Sequence, residues 1–164
     1  MPEKFRLDKG GLINRNKKIS FKFNNKKYYG YEGDTLASAL IANGVHLVGR
    51  SFKYHRPRGI MTCGSEEPNA ICQINGKTAF TEPNVRATEI ELYEGLEADS
   101  QNCWPNVNFD IGGINNFIAP FIPAGFYYKT FMWPRSFWYR IYEPFIRKAA
   151  GFGVASKEHD KERY

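Results

Sequence analysis

The chain has 164 residues, of which 42% are hydrophobic, 16% aromatic and 24% charged, and its formal net charge is +6. This length suits one domain, or a small domain with an extension, and allows a buried core. The composition excludes a disordered chain, no apolar run is long enough for a transmembrane helix, and the start lacks the apolar stretch of a signal peptide. We therefore expect a cytoplasmic protein without a membrane partner.

Residues 1–18 form a predicted basic arm. Residues 1–30 contain nine Lys and Arg against Glu3 and Asp8, so they carry a net charge of +7 and the remaining chain carries −1. A basic segment can attract nucleic acid. Because no nucleic-acid-binding motif accompanies the charge, we expect a solvated face or a contact with an acidic protein surface, and no nucleic acid.

Residues 19–100 are predicted to form a domain that opens with a β-hairpin. The segment Ile19–Phe23 alternates apolar and polar residues, as strands with one buried face do. Asn24-Asn25 is a turn signal, and Lys27–Tyr31 has the composition of the returning strand. The hairpin therefore precedes any helix in this domain.

A short helix is predicted over Leu36–Ala42. Asp34 or Thr35 can cap its amino terminus, and Asn43-Gly44 is a typical left-handed ending. Two strands, a helix and then further strands form the opening of a β-grasp, which is the α+β fold of plant-type [2Fe–2S] ferredoxins.

A basic loop follows within residues 48–70. It is too polar to be buried unpaired and too interrupted by Pro and Gly to form a regular element. One interpretation is a docking surface for carboxylates or phosphates of a neighbouring domain or subunit. The other is a local network in which Arg56 and Arg58 pair with Glu66 and Glu67. The candidate docking residues are Arg50, Lys53, His55, Arg56, Arg58 and Gly59.

The ferredoxin-like fold raises the question of an iron–sulfur cluster. Plant-type clusters need four thiolates, in C-x₄-C-x₂-C spacing plus a distant Cys. With Cys63 as the last of the three, the other positions are His55 and Ile60, and the distant ligand falls near Ala87 and Thr88. Only one thiolate remains, so we expect no bound cluster and no metal. We expect His55 to be structural, since no other His or carboxylate stands at ligand spacing from it.

The rest of the predicted domain is a series of strands and turns. Its three cysteines are an odd number at irregular spacing and are expected to be reduced thiols. No nucleophile–base arrangement and no pair of suitably placed carboxylates indicates a catalytic site. The expected elements are a strand over Ala70–Ile74, a turn at Asn75-Gly76, a return over Thr78–Thr81, a turn at Glu82–Asn84, a strand over Val85–Leu92 and a turn at Tyr93–Leu96.

Residues 101–150 form an aromatic-rich extension. Residues 104–145 contain fourteen of the 26 aromatic residues of the chain, and prolines divide this segment into short pieces. Short helices are expected around Ile111–Phe117 and Phe137–Ala149. We interpret the extension as a segment that wraps on other protein, the alternative being an ordinary aromatic core. The charged residues 151–164 have the composition of a linker.

Five motifs in order along the chain give a resemblance to a known family. They are G-G-L-I-N-R, Y-E-G-D-T-L-A-S-A-L-I-A-N-G-V, the basic loop V-G-R-S-F-K-Y-H-R-P-R-G-I-M-T-C-G-S-E-E-P-N-A, E-P-N-V-R-A-T and P-A-G-F-Y-Y-K-T-F-M-W-P. Together they resemble the N-terminal region of the alpha subunit of heterotetrameric sarcosine oxidase, from Phe5 to about Gly153. In that family this region is a ferredoxin-like domain that has lost its cluster, and the chain then leads into a nucleotide-binding domain that is absent here.

The resemblance implies a function for the whole complex and a supporting role for this chain. The complex oxidatively demethylates sarcosine to glycine with FAD, FMN and NAD, and contains beta, gamma and delta subunits. These residues would be a structural and docking module that binds no cofactor itself. Two alternatives remain open, a stand-alone [2Fe–2S] ferredoxin-like electron carrier and a basic adaptor protein.

Overall fold

The computed structural model describes residues 3–75, 81–121, 125, 131 and 133–156. A mixed five-stranded sheet, a helix packed on it and a small separate hairpin form the first hundred residues. The strands are β1 Asn14–Phe23, β2 Lys26–Glu32, β3 Gly49–Arg50, β4 Pro57–Arg58, β5 Ile71–Ile74, β6 Glu82–Arg86 and β7 Glu97–Ser100, and the α-helices are α1 Leu36–Ala42 and α2 Glu143–Ala149.

The order of strands in the main sheet is β2-β1-β7-β5-β6. The predicted hairpin is present, with β1 antiparallel to β2 around Asn24 and Asn25, which both have positive φ. Strand β7 returns between the two halves of the sheet, parallel to β1 and antiparallel to β5. A central parallel pair flanked by antiparallel neighbours, with a helix across one face, is the β-grasp arrangement, so the predicted α+β fold is confirmed.

Helix α1 has the bounds that its sequence predicts. Thr35 caps it in a reciprocal capping box, in which Thr35 Oγ1 accepts from Ser38 N at 3.2 Å and Ser38 Oγ accepts from Thr35 N at 3.0 Å. Gly44 ends the helix at φ 76°. Leu36 and Leu40 are fully buried against the sheet, and this apolar face holds the helix in place.

The hydrophobic core lies between α1 and the main sheet. Burial of these apolar side chains is the main stabilising term for the domain. The aromatic residues of the extension do not belong to this cluster among the described residues. Its members are Ile19, Phe21, Phe23, Leu36, Ala37, Ala39, Leu40, Val48, Ala70, Cys72, Ile74, Ala87, Leu92, Leu96 and Ala98.

Part of the predicted basic arm contacts the domain. The backbone N–H of Phe5 donates to the carbonyl of Ala42 at 3.1 Å, at the end of α1. The guanidinium of Arg6 binds the buried carboxylate of Asp34 at 2.6 Å, at the start of the same helix. Strand β1 begins at Asn14 rather than at the predicted Ile19.

Two predictions between residues 82 and 92 were wrong. Glu82–Asn84 is part of strand β6 and not a turn, and the strand predicted over Val85–Leu92 ends at Arg86. The chain leaves the sheet there because the N–H of Ala87 donates to Ala70 O, while the carbonyl of Ala87 accepts from Ala37 N at the start of α1. Helix packing thus overrides the strand pattern. Strand β7 was not predicted, and Gly76 to Phe80 lie outside the described residues.

The extension is irregular, as predicted, with short helical pieces. The first expected helix is a 3₁₀ helix over Ile111–Asn116, and the second is a π-helical turn over Trp138–Tyr142 that continues into α2. Among the described residues, no helix has the length and apolarity needed to cross a membrane. The predicted linker lies outside the described residues from residue 157 onward, and the proposed domain boundaries stay predictions.

Candidate functional site

The basic loop contains regular structure that its sequence did not predict. Strands β3 and β4 pair antiparallel, with Gly49 opposite Arg58 and Arg50 opposite Pro57. The tip is closed by the N–H of His55, which donates to Ser51 O at 2.9 Å, with His55 itself at φ 52°. Each strand of this hairpin is only two residues long. The ladder is therefore short enough to form although the loop contains Pro57 and several glycines.

Arg50 holds this hairpin to the start of the extension. Its Nε and Nη2 donate to the carbonyl of Val107 at 2.9 and 2.6 Å, and its Nη1 donates to the carbonyl of His55 at 3.2 Å. Because its guanidinium donates to carbonyl groups of this chain, few of its N–H groups are left for a partner. Arg50 therefore positions the hairpin, and docking contacts would come from its neighbours.

His55 is paired with a carboxylate that sequence reasoning missed. Its Nδ1 lies 2.6 Å from Asp110 Oδ2, and the Asp110 side chain is fully buried. Asp110 Oδ1 also accepts from the backbone N–H groups of Trp104 at 3.0 Å and Gly112 at 3.1 Å. The two residues are 55 positions apart, so no short sequence motif could indicate this pair. The contact gives His55 a carboxylate neighbour that its sequence surroundings did not indicate, and the structural role expected for His55 stays a prediction.

An open groove of about 470 Å³ lies beside this pair. Burial, followed by the charge of Asp110, raises the pKa of the Cys103 thiol to about 11, so this thiol is protonated at neutral pH. The side-chain oxygen of Asn102 is buried and has no hydrogen-bond partner within the described part of the chain.

No group of three His, Cys, Asp or Glu side chains among the described residues could hold a metal ion.

The outer face of the hairpin carries the remaining candidate residues. Arg56 is exposed, with its guanidinium 4.8 Å from the centre of the Tyr54 ring and its Nε 3.3 Å from Asn116 Oδ1. Lys53 lies on the same ring, at 4.9 Å. Arg58 is half-buried on β4. Both Lys53 and Arg56 thus place a cation against the Tyr54 ring.

Gly59 has a steric role next to the hairpin. A Cβ at this position would lie 2.5 Å from the carbonyl oxygen of His46, which is closer than real Cβ contacts allow. The backbone at His46 approaches so closely that only glycine fits at this position.

The alternative of local salt bridges to Glu66 and Glu67 was wrong. None of the ion pairs among the described residues joins Arg56 or Arg58 to either glutamate. Glu66 is exposed, whereas Glu67 is 1% exposed and points into the domain. The two residues lie at a turn, in which the N–H of Glu67 donates to Gly64 O at 3.2 Å, and their side chains leave the turn in different directions.

The carboxylate of Glu67 is surrounded by backbone donors from the loop. Its Oε2 accepts from Met61 N at 2.8 Å, Thr62 N at 2.7 Å and Thr62 Oγ1 at 3.2 Å. Its Oε1 accepts from Asn69 N at 2.8 Å and Ala70 N at 3.2 Å. Burial alone would raise the pKa of Glu67, but the four backbone donors outweigh it and lower the pKa to about 2.

The polypeptide around Glu67 is tied to the sheet at two further points. Arg86 Nε donates to the carbonyl of Glu67 at 3.0 Å, and Thr88 Oγ1 donates to the carbonyl of Gly64 at 2.8 Å. We call residues 61–70 the Glu67 loop. The Glu67 carboxylate binds the backbone of this loop from within, and Arg86 of β6 and Thr88 just after β6 bind its carbonyl groups.

Comparison with known families places this loop in context. A family model described as 2Fe-2S iron-sulfur cluster binding domain matches residues 16–103, which is more than half of the chain. The chain belongs to this family. The matched range contains strand β1 from residue 16 onward, the other strands and helix α1 of the β-grasp domain, and the Glu67 loop.

Curated relatives are alpha subunits of sarcosine oxidase. The chain is 60% identical to the Rhizobium meliloti (strain 1021) sarcosine oxidase subunit alpha over 98% of this chain and 16% of that protein. It is 35% identical to the subunit alpha of Corynebacterium sp. (strain U-96) over 54% of this chain and 9% of that protein. The predicted resemblance is confirmed, and the chain spans about a sixth of the length of the Rhizobium relative.

A search of solved structures found a dehydrogenase. The L-proline dehydrogenase from P. horikoshii has 27% sequence identity and a TM-score of 0.44, and the match covers 57% of this chain and 17% of that chain.

The residues of this chain do not fit the cluster that the family name implies. Counting forward from Cys63 with the plant-type spacing gives Pro68 and Ile71, and counting backward gives Ile60 and His55. Cys72 lies in β5 with no exposed surface, and burial raises the pKa of its thiol to about 12, which opposes thiolate formation. Four thiolates cannot converge from these positions.

A first prediction concerns the pH dependence of stability. Glu67→Gln is expected to lower the free energy of unfolding by on the order of 2 kcal/mol at neutral pH, since charge-assisted bonds from the backbone are lost. The folded pKa of about 2 lies below the ordinary 4.5. The contribution of the ionised carboxylate is therefore fully present above the unfolded pKa and is lost as the pH falls toward the folded pKa.

Urea unfolding of wild type and variant at neutral pH and at about pH 3.5 measures this. Other carboxylates titrate in the same range, but they are common to both proteins, so the difference between the two isolates Glu67. We expect the difference to narrow at the lower pH. A difference that stays constant or grows would contradict the assignment of the low pKa.

Proposed function

We propose that this chain is the N-terminal structural and docking module of a sarcosine oxidase alpha-type subunit, in a complex that oxidatively demethylates sarcosine to glycine. The observation that carries the proposal is the 60% identity to such a subunit over nearly the whole chain. FAD, FMN and NAD would bind outside these residues. The partners would be the remaining alpha-subunit domains and the beta, gamma and delta subunits, in the cytoplasm.

The surface of the extension supports a docking role. Phe117, Trp133 and Tyr139 are each 84% exposed, and Phe121 is 81% exposed. Large aromatic side chains at this exposure cost free energy in water, and contiguous apolar surface on a protein typically marks an interface. The exposure of these side chains supports the interpretation of the extension as a segment that packs on other protein.

The basic hairpin supports the same role through charge. The cations of Arg56 and Lys53 lie 4.8 and 4.9 Å from the centre of the Tyr54 ring, so the hairpin concentrates positive charge around this side chain. Such a pair suits carboxylates or phosphates on the neighbouring domain. By contrast, two of the three lysines of β1 are already in ion pairs within the domain, Lys17 with Glu32 and Lys22 with Glu97 at 2.7 Å, which weakens the alternative of a basic adaptor for nucleic acid.

The intact mass of the native polypeptide that carries these residues tests the proposal directly. A mass several times that of this chain, 18.9 kDa, would support a large alpha-type subunit. A native mass near 18.9 kDa would contradict it and would leave a free-standing module. Visible absorption, iron and acid-labile sulfide in the free-standing case would favour the electron-carrier alternative.

A second prediction tests the docking hairpin. In the complete alpha subunit, Arg56→Ala with Arg58→Ala is expected to reduce assembly with the partner domains and subunits by about tenfold, because paired charges at an interface are removed. Size-exclusion chromatography with mass determination measures assembly, and circular dichroism confirms folding. The charge-matched control is Lys26→Ala with Lys27→Ala on the β1–β2 hairpin. Unchanged assembly and oxidase activity in the Arg56 and Arg58 variant would rule out this docking surface.

A further inference from the structure

The Glu67 loop contains an anion-binding arrangement without an external anion. Five donors from Met61, Thr62, Asn69 and Ala70 converge on one carboxylate, all at 3.2 Å or less. Successive backbone N–H groups that point inward form a concavity that favours a negative charge. In this chain the negative charge is covalently part of the loop.

We infer that the Glu67 carboxylate is the structural anion of this loop and replaces the iron–sulfur cluster that the family name implies, so that the loop folds without iron. The family description implies a cluster, whereas the residues of the loop do not supply its thiolate ligands. The matched range includes the loop, yet Cys63 is its only thiol among residues 61–70, and that thiol is exposed on the outer side.

Burial makes the carboxylate obligatory for these donors. Glu67 is 1% exposed, so in the folded loop its own carboxylate satisfies these donors and bulk water does not. Backbone N–H groups that are buried without an acceptor each cost free energy, and four of them meet at this point. Removing the carboxylate would therefore leave several unsatisfied donors at once, and this explains why an acidic residue is held in an otherwise closed position.

The loop is also coupled to the core through its carbonyl groups. The carbonyl of Glu67 accepts from Arg86 Nε, and the carbonyl of Gly64 accepts from Thr88 Oγ1. Ala70, at the end of the loop, has no exposed surface and belongs to the core cluster. An anion that organises the loop consequently stabilises the junction of β5 and β6 with helix α1, and its loss is measurable as a change in global stability.

Chemical rescue tests this inference in the purified chain. Glu67→Ala is expected to lower the melting temperature by about 5–10 °C, because the donors lose their acceptor. Sodium formate at about 0.1 M should restore a measurable part of the loss, since a small carboxylate can bind the vacated donors. Sodium chloride at equal ionic strength serves as the salt control. Glu66→Ala, at the exposed neighbouring position, should neither lose stability nor respond to formate.

Two further measurements keep the test decisive. If Glu67→Ala does not fold, Glu67→Gln preserves the size and is still expected to melt below wild type, because its amide NH₂ faces donors. Anaerobic incubation of wild type with ferrous iron and sulfide should leave the melting temperature unchanged and no iron bound. A Glu67→Gln variant as stable as wild type, a folded Glu67→Ala variant that ignores formate, or a wild type stabilised by iron and sulfide would each overturn the inference.

Discussion

Replacement of Leu40 by alanine is expected to lower the free energy of unfolding by about 3–5 kcal/mol. Leu40 has no exposed surface and lies on the face of α1 that covers the sheet. Alanine has a high helix propensity, so the substitution leaves the helix itself intact and removes core contacts alone. The loss combines the transfer free energy of the removed methyl groups with the cost of the cavity that remains.

Urea unfolding followed by circular dichroism measures this change. Ile41 provides a matched control, since it is the next residue of the same helix and is 39% exposed. We expect Ile41→Ala to cost about 1 kcal/mol or less, because a partly exposed side chain leaves no closed cavity. Equal losses for the two variants would mean that α1 does not pack on the sheet through Leu40.

Replacement of Arg6 by alanine is expected to cost about 3 kcal/mol, which is large for a residue in a predicted basic arm. Arg6 donates to Asp34 through Nη2 at 2.6 Å and through Nη1 at 3.1 Å. Asp34 is 2% exposed and also accepts from Ser38 Oγ at 2.8 Å and Tyr31 N at 2.9 Å. Removing the guanidinium leaves a buried carboxylate with an uncompensated charge.

The control is an exposed ion pair that also involves a cation of the basic arm. Lys17 and Glu32 form a salt bridge in which the side chains are 63% and 42% exposed. Exposed pairs contribute little, so Lys17→Ala is expected to cost less than about 1 kcal/mol. Thermal unfolding of both variants compares the pairs. If Arg6→Ala were as mild as Lys17→Ala, the contact of the arm with the helix cap would have no energetic role.

The contribution of Arg6 changes the interpretation of the first residues. Composition describes them as a basic arm, yet Arg6 stabilises the start of α1 and Phe5 contacts its end. Two cations of the arm, Arg6 and Lys17, are thus paired within the domain. The charge that is left for a partner is smaller than the net charge of residues 1–30 indicates.

Local signals were sufficient for the elements whose information lies within a few residues. The hairpin around Asn24 and Asn25 and the helix Leu36–Ala42 follow from alternation, turn residues and caps, and all three are physical preferences of short segments. The ferredoxin-like fold followed from their order, and the missing thiolates were visible from spacing alone.

Contacts between distant segments decided the rest. Strand β7 has little alternation and is a strand because it fills the place between β1 and β5, and the predicted strand after Arg86 ends because Ala87 bonds to α1 instead. Long-range backbone pairing of this kind has no signature within a short window.

The sequence by itself therefore determined the fold class, the family resemblance and the absence of a complete thiolate set. Only the tertiary structure decided that Asp110 holds His55, that Arg50 is used internally and that Glu67 points inward to the loop donors. The physical reason is that a buried polar group must find its partner in space, and a partner 5 or 55 residues away is equally available once the chain has folded.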